Sequence, residues 1–142
     1  MKYFLIAALF VSFAGCSTSS PVFYADAKTI APYSPAVRTG STLYVSGQLG
    51  LNPETLELVG DDVESQTKQV FINMEAALAK AGYSLQDVVS CTVYLKDIRD
   101  FKKMNDIYAA HFAAGKYPAR VALEVANLPK NGKIEISAIA SK

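Results

Sequence analysis

Two charged residues stand in otherwise apolar, strand-like runs near the C-terminus, and their types make a reactive pair. The first is Arg120, within Pro118-Ala119-Arg120-Val121-Ala122-Leu123-Glu124-Val125. Alternation over residues 119–125 puts Ala119, Val121, Leu123 and Val125 on one strand face and Arg120, Ala122 and Glu124 on the other. The apolar face is expected in the core and the charged face outside it. Ala122 leaves space beside Arg120, where a guanidinium can meet a planar carboxylate through two parallel hydrogen bonds. The second is Glu135, which shares a strand face with Ser137 and Ile139 while Ile134, Ile136 and Ala138 share the other. If these strands or their symmetry mates line a cleft, one site holds an anion receptor and a base. That pairing suits hydrolysis of an imino acid, with Arg120 fixing the carboxylate and Glu135 deprotonating a water for attack on the C=N carbon. The plainer reading is a solvated Arg120, or one that merely neutralises Glu135 or Glu124 in the sheet. The pattern alone admits both.

Other chemistries find little material. One histidine, His111, and two cysteines, Cys16 and Cys91, are too few soft ligands for a zinc site, so no metal is expected. Cys91 lies on the apolar face of its strand and reads as a buried free thiol; His111 reads as an ordinary helix residue. Fourteen Lys and Arg against 13 Asp and Glu, a net +1 without a basic cluster, give no reason to expect nucleic acid or an anionic membrane surface as a partner. A length of 142 residues, 51% hydrophobic, suits one domain with a real core.

The N-terminus reads as an address. Lys2 supplies a positive start, residues 3–13 are apolar, and the small pair Ala14-Gly15 precedes Cys16. The run is shorter than the roughly 20 apolar residues of a membrane-spanning helix. It resembles a bacterial lipoprotein processing site, with Phe13 where Leu is usual. The expectation is a signal peptide at residues 1–15, lipid on Cys16, a Ser-rich linker through residue 26 and a folded domain at 27–142. The protein would then be exported and held on the periplasmic side of a membrane by that lipid, with a soluble secreted form as the alternative.

The elements that must position the reactive pair are legible from periodicity. Residues 22–28 alternate weakly and suggest a short edge strand. Residues 36–38 and 42–46 flank Thr39-Gly40-Ser41 as a hairpin, whose second strand ends in Ser46-Gly47-Gln48. There the missing Cβ of Gly47 admits a close approach by another backbone or a ligand. Asp61, three positions before Glu64, opens a helical stripe that closes at Gly82. Residues 87–95 alternate as a strand, and a second helix is expected from a cap at Asp100 to near Gly115, with Asn105 on the edge of its apolar stripe. Strands at 119–126 and 133–140 complete an α+β order, β-β-α-β-α-β-β, with two helices on one face of a mixed sheet.

Four segments together carry a family resemblance: A-P-Y-S-P-A-V from Ala31, V-S-G-Q from Val45, P-A-R-x-x-x-E-V-A-x-L-P-K from Pro118, and K-I-E-I-x-A-I-A from Lys133. In this order and spacing the chain resembles the RidA/YjgF family of imine and enamine deaminases over residues 27–140. The resemblance implies a chorismate-mutase-like fold, a homotrimer with pockets between subunits, and cofactor-free hydrolysis of 2-aminoacrylate- and 2-aminocrotonate-type intermediates to 2-oxo acids and ammonia. It implies a site of Arg120 and Glu135 as catalytic residues, with Tyr33, Ser46, Gly47 and Asn105 joining Arg120 in substrate binding. Many members carry a cysteine two residues after the arginine; here that position is Ala122, and Ser137 stands where an acidic residue is common. A non-catalytic module that captures small carboxylates is the alternative. Ribonuclease activity, sometimes attached to the family, sits poorly with the near-neutral charge.

Overall fold

The computed structural model describes residues 20–25 and 28–142. The expected signal peptide and Cys16 lie outside the described residues. Eight elements build the domain: β1 (Val22–Tyr24), β2 (Ala36–Thr39), β3 (Thr42–Leu49), α1 (Val63–Lys80), β4 (Val88–Leu95), α2 (Phe101–Ala110), β5 (Ala119–Glu124) and β6 (Ile134–Ser141). The strands form one six-stranded sheet in the order β1-β2-β3-β6-β4-β5. All neighbours are antiparallel except β4 and β5, whose parallel pairing is joined through α2. The edge strand suggested at residues 22–28 is present as the three-residue β1.

Periodicity explains the single covered face. Every second residue of β6, namely Ile134, Ile136, Ala138 and Ala140, is buried, and each lies opposite a buried partner in β4: Leu95, Val93, Cys91 and Val88. Against this surface α1 lays Val63, Val70, Phe71, Met74, Ala77 and Leu78, and α2 adds Met104 and Tyr108. Among the described residues no helix lies over the other sheet face. Tyr44, Ile139, Val121 and Leu123 stand exposed there.

The helix starts differ from expectation. Asp62, not Asp61, caps α1, because its carboxylate reaches the Ser65 N–H at 2.7 Å, three residues into the turn. Asp100 makes no side-chain cap; Asp97 caps the preceding 3₁₀ turn Ile98–Asp100 through the Arg99 N–H, and α2 ends at Ala110, well before Gly115. The 119–126 strand also stops at Glu124, whose carboxylate accepts from the Ile98 N–H at 2.9 Å.

One polar side chain in the core holds the loops around the sheet's end. Gln66 is fully buried, donates to Gly60 O at 2.6 Å and accepts from the Lys133 N–H at 2.7 Å. It thereby ties the loop before α1 to the first residue before β6. Close packing there leaves no room at Gly50, where a Cβ would lie 2.6 Å from Gln66 Cβ. Gln66→Leu keeps the volume but strands one part-buried donor and one part-buried acceptor, so it is expected to lower unfolding free energy by roughly 1–3 kcal/mol. Urea denaturation measures this, and an unchanged midpoint would show that water replaces both bonds.

Candidate active site

Glu135 is placed by the alternation of β6 on the uncovered face of the sheet, since Ile134 and Ile136 on either side of it are fully buried. In register it lies between Tyr94 of β4 and Leu49 of β3, and β3 is bulged between Val45 and Gln48. That bulge is where Ser46 and Gly47 sit, and it brings the Gly47 backbone against the Glu135 carboxylate. A Cβ on Gly47 would lie 1.8 Å from Glu135 Oε1. The close approach expected at Gly47 is therefore made by an acidic side chain and not by a backbone. Burial raises the Glu135 carboxyl above its ordinary value, and among the described residues it has no ion-pair partner.

The strand β2 begins only at Ala36, so β3 beyond Val45 loses its neighbour on that edge. The vacated edge opens a cleft of about 880 Å³, lined by Tyr33, Ser46, Gly47 and Glu135 together with apolar side chains such as Leu51 and Leu56. Ser46 fastens the rim: its N–H donates to Pro35 O at 2.9 Å and its hydroxyl to Ser34 O at 2.7 Å. Tyr33 is 43% exposed, and its phenol is raised above its ordinary value, first by desolvation and then by the Glu135 charge. On the bare sheet face a shallower depression of about 310 Å³ also reaches Glu135 and Gly47, beside Tyr94 and Ser137.

Arg120 is elsewhere. It lies in register with buried Cys91 of β4, on the side that carries the helices. Its Nη2 donates to Asn105 Oδ1 at 2.8 Å, and its guanidinium carbon lies 4.3 Å from the centre of the Tyr108 ring and 5.7 Å from that of Phe101. This reverses the faces expected for β5. Arg120 and Ala122 point inward to α2, while Val121, 58% exposed, and Leu123 face the uncovered side. Alternation separates two faces but does not say which one the helices cover, and the more apolar face here is the bare one. Within one protomer Arg120 and Glu135 therefore occupy opposite faces, in strands separated by β4. Among the described residues neither takes part in an ion pair, so they do not neutralise each other, and Glu124 caps a turn instead.

Two half-sites result: Glu135, Gly47, Ser46 and Tyr33 in one cleft, and Arg120 with Asn105 at the other. Phe101 and Tyr108 of α2, whose rings lie against the Arg120 guanidinium, belong to the second. Their positions i and i+7 relative to Phe101, with Asn105 at i+4, already placed the three on one helix face. Among the described residues no three His, Cys, Asp or Glu side chains group as metal ligands, and no helix is long and apolar enough to cross a membrane.

The endoribonuclease L-PSP family matches residues 24–142. The chain belongs to this family. A RutC family protein of Pyrococcus horikoshii is 53% identical to it over 115 residues, 81% of this chain and 90% of that protein. The Bos taurus protein named 2-iminobutanoate/2-iminopropanoate deaminase is 46% identical over 111 residues, 78% of this chain and 80% of its own length. Among solved structures, RidA from an Antarctic Psychrobacter superposes with a TM-score of 0.77 at 44% identity, covering 81% of this chain and 92% of that one. The YjgF product of E. coli gives 0.74 at 42% identity over 80% and 91%. The six-stranded mixed sheet with its two helices is thus the RidA/YjgF fold, and the family includes proteins named as imine deaminases.

The raised Glu135 carboxyl has a consequence for stability. A carboxyl raised on folding favours the folded state below its unfolded value, about 4.3, and that advantage is lost as pH climbs through the folded value. Glu135→Gln, uncharged throughout, is therefore expected to melt above wild type at pH 7, with the gap closing as the pH approaches 4. Calorimetric melting across that range checks this, and a gap independent of pH would contradict it.

Proposed function

We propose that the chain hydrolyses small 2-imino acids, with their enamine tautomers, to 2-oxo acids and ammonia, in a site assembled from two copies. The observation that carries the reading is the desolvated Glu135 carboxylate, seated without a counter-ion beside Gly47. Such a group is a stronger base than an exposed carboxylate. Arg120 receives the substrate carboxylate; Glu135 takes a proton from water as the water oxygen bonds to the carbon of the protonated imine and the C=N π pair moves to nitrogen, giving a carbinolamine. Glu135 then returns that proton to nitrogen, and ammonia leaves as the C–N bond breaks and the carbonyl forms, the hydroxyl proton passing back to the carboxylate and out to solvent. Tyr33 and Ser46 line the approach to the reacting carbon. No step requires a metal or organic cofactor. The deaminase name of a 46% identical relative supports the same reaction, and Ala122 leaves both ends of the site intact.

Because one protomer holds the halves on opposite sheet faces, the site is complete only where Arg120 and Asn105 of one copy meet Glu135 of another. The exposed apolar row of Tyr44, Ile139, Val121 and Leu123 on the uncovered face supports association, and a homotrimer is the closed assembly proposed. The family name points to RNA cleavage, but a net charge of +1 argues against a phosphate-tracking surface. The leader extends the proposal to an exported protein, anchored by lipid on Cys16 and acting where imines form or leak outside the cytosol. Intact-mass measurement of membrane-extracted protein is expected to show acylation at Cys16, and an unmodified, full-length N-terminus would remove that part of the reading.

Activity is measured as loss of trapped imine generated by an amino-acid oxidase. Glu135→Gln is expected to reduce turnover by roughly 10²-fold or more while sparing 2-oxo acid binding. Arg120→Lys is expected to fail nearly as badly as Arg120→Ala, because the fork geometry is lost although the charge is kept. Mixed assemblies of Arg120→Ala and Glu135→Gln subunits should regain activity, since about a quarter of their interfaces unite two intact halves. Wild type that binds 2-oxo acid without accelerating imine loss would leave a carboxylate-binding module in place of an enzyme.

A further inference from the structure

We infer that Tyr108 is a positioning residue of this site, its ring being the platform that orients the Arg120 guanidinium for a carboxylate. The inference rests on Arg120 as the carboxylate receptor. A receptor arginine needs to be ordered before the ligand arrives, because its long side chain otherwise loses rotamer freedom on binding. An acidic partner would order it but would also compete with the ligand for its charge. The surroundings of Arg120 solve this with neutral groups: the Tyr108 ring face 4.3 Å beneath the guanidinium carbon, and the Asn105 carbonyl oxygen 2.8 Å from Nη2. No carboxylate pairs with Arg120 among the described residues.

The platform is itself immobilised. Tyr108 is 3% exposed, its ring meets Phe71 edge-on at 5.6 Å and 70°, and it lies 4.9 Å from the Phe112 ring. Its hydroxyl is buried beside Cys91 and has no hydrogen-bond partner of sound geometry among the described residues. The ring face is what touches the guanidinium. With one N–H given to Asn105 and one face given to the ring, the remaining N–H edge is left for the ligand.

Electron density on the ring is the property to vary. Tyr108→Phe is expected to bind 2-oxobutanoate within about 2-fold of wild type by calorimetry. Phenylalanines with one, two and three ring fluorines at position 108 should weaken that binding stepwise, to roughly 5- to 20-fold in all, while their volume barely changes. The loss should fall on KM more than on kcat, and the amide of 2-oxobutanoate, lacking the carboxylate, should show no trend. A flat series, or one that follows melting temperature instead of fluorine number, overturns the platform. Arg120→Ala separates the two ideas: if it abolishes 2-oxobutanoate binding while the series is flat, the platform alone falls. If Arg120→Ala binds as wild type does, the receptor reading falls and the platform with it.

Discussion

A six-stranded sheet whose two described helices both pack on one face sets the terms for the rest of the structure. Two helices bury the inward residues of β3, β4 and β6, and strand alternation then obliges the residues between them to face the other way. Glu135 is carried to the uncovered face by that rule. Arg120 is carried to the helix side by the same rule, through its register with Cys91. No rotamer change in either side chain moves it through the sheet. The division of the site into two halves is thus a property of backbone register and not of side-chain packing.

Within the Glu135 half, the bulge of β3 matters more than any hydrogen bond. It lets a glycine lie where a Cβ would collide with the carboxylate, and it leaves the acid partly desolvated without a compensating cation. A half-buried carboxylate with no ion-pair partner among the described residues opposes folding at neutral pH. The surrounding order offsets it: Ser46 pins the loop at residues 34–35, and Asn73 donates to Leu49 O at 3.0 Å and Leu51 O at 2.9 Å, holding the strand end and the loop that follows. Strain is stored nearby in Leu56, which has a φ of 58° in the wall of the cleft.

Much of this was legible beforehand, for identifiable reasons. The stripe of α1 and the alternation of β4 and β6 carry strong periods, so their type and inward residues could be read from spacing. Gly47 is legible as a point of close approach because a strand-end glycine presents no Cβ, and the structure also places it in a bulge. What spacing could not supply was the assignment of faces in β5, where Val121 and Leu123 look like core and are not. That choice is made by where α2 lies, a tertiary fact. Tyr108 was hidden for the opposite reason: an aromatic at helical spacing looks like packing, and it is packing, but the cation above it sits 12 residues later in another element.

The position of β6 has a consequence for how the chain is made. It is the last strand in chain order, yet it lies at the middle of the sheet, between β3 and β4. Until it arrives, the strands from β1 to β3 and the pair β4 and β5 share no backbone ladder, and each presents an open edge. During synthesis the β3 edge stays unmatched while residues 50–133 are made and the β4 edge while residues 96–133 are made, a period in which they are exposed to mispairing with other nascent chains. A chaperone that keeps the chain extended until β6 emerges would meet the requirement.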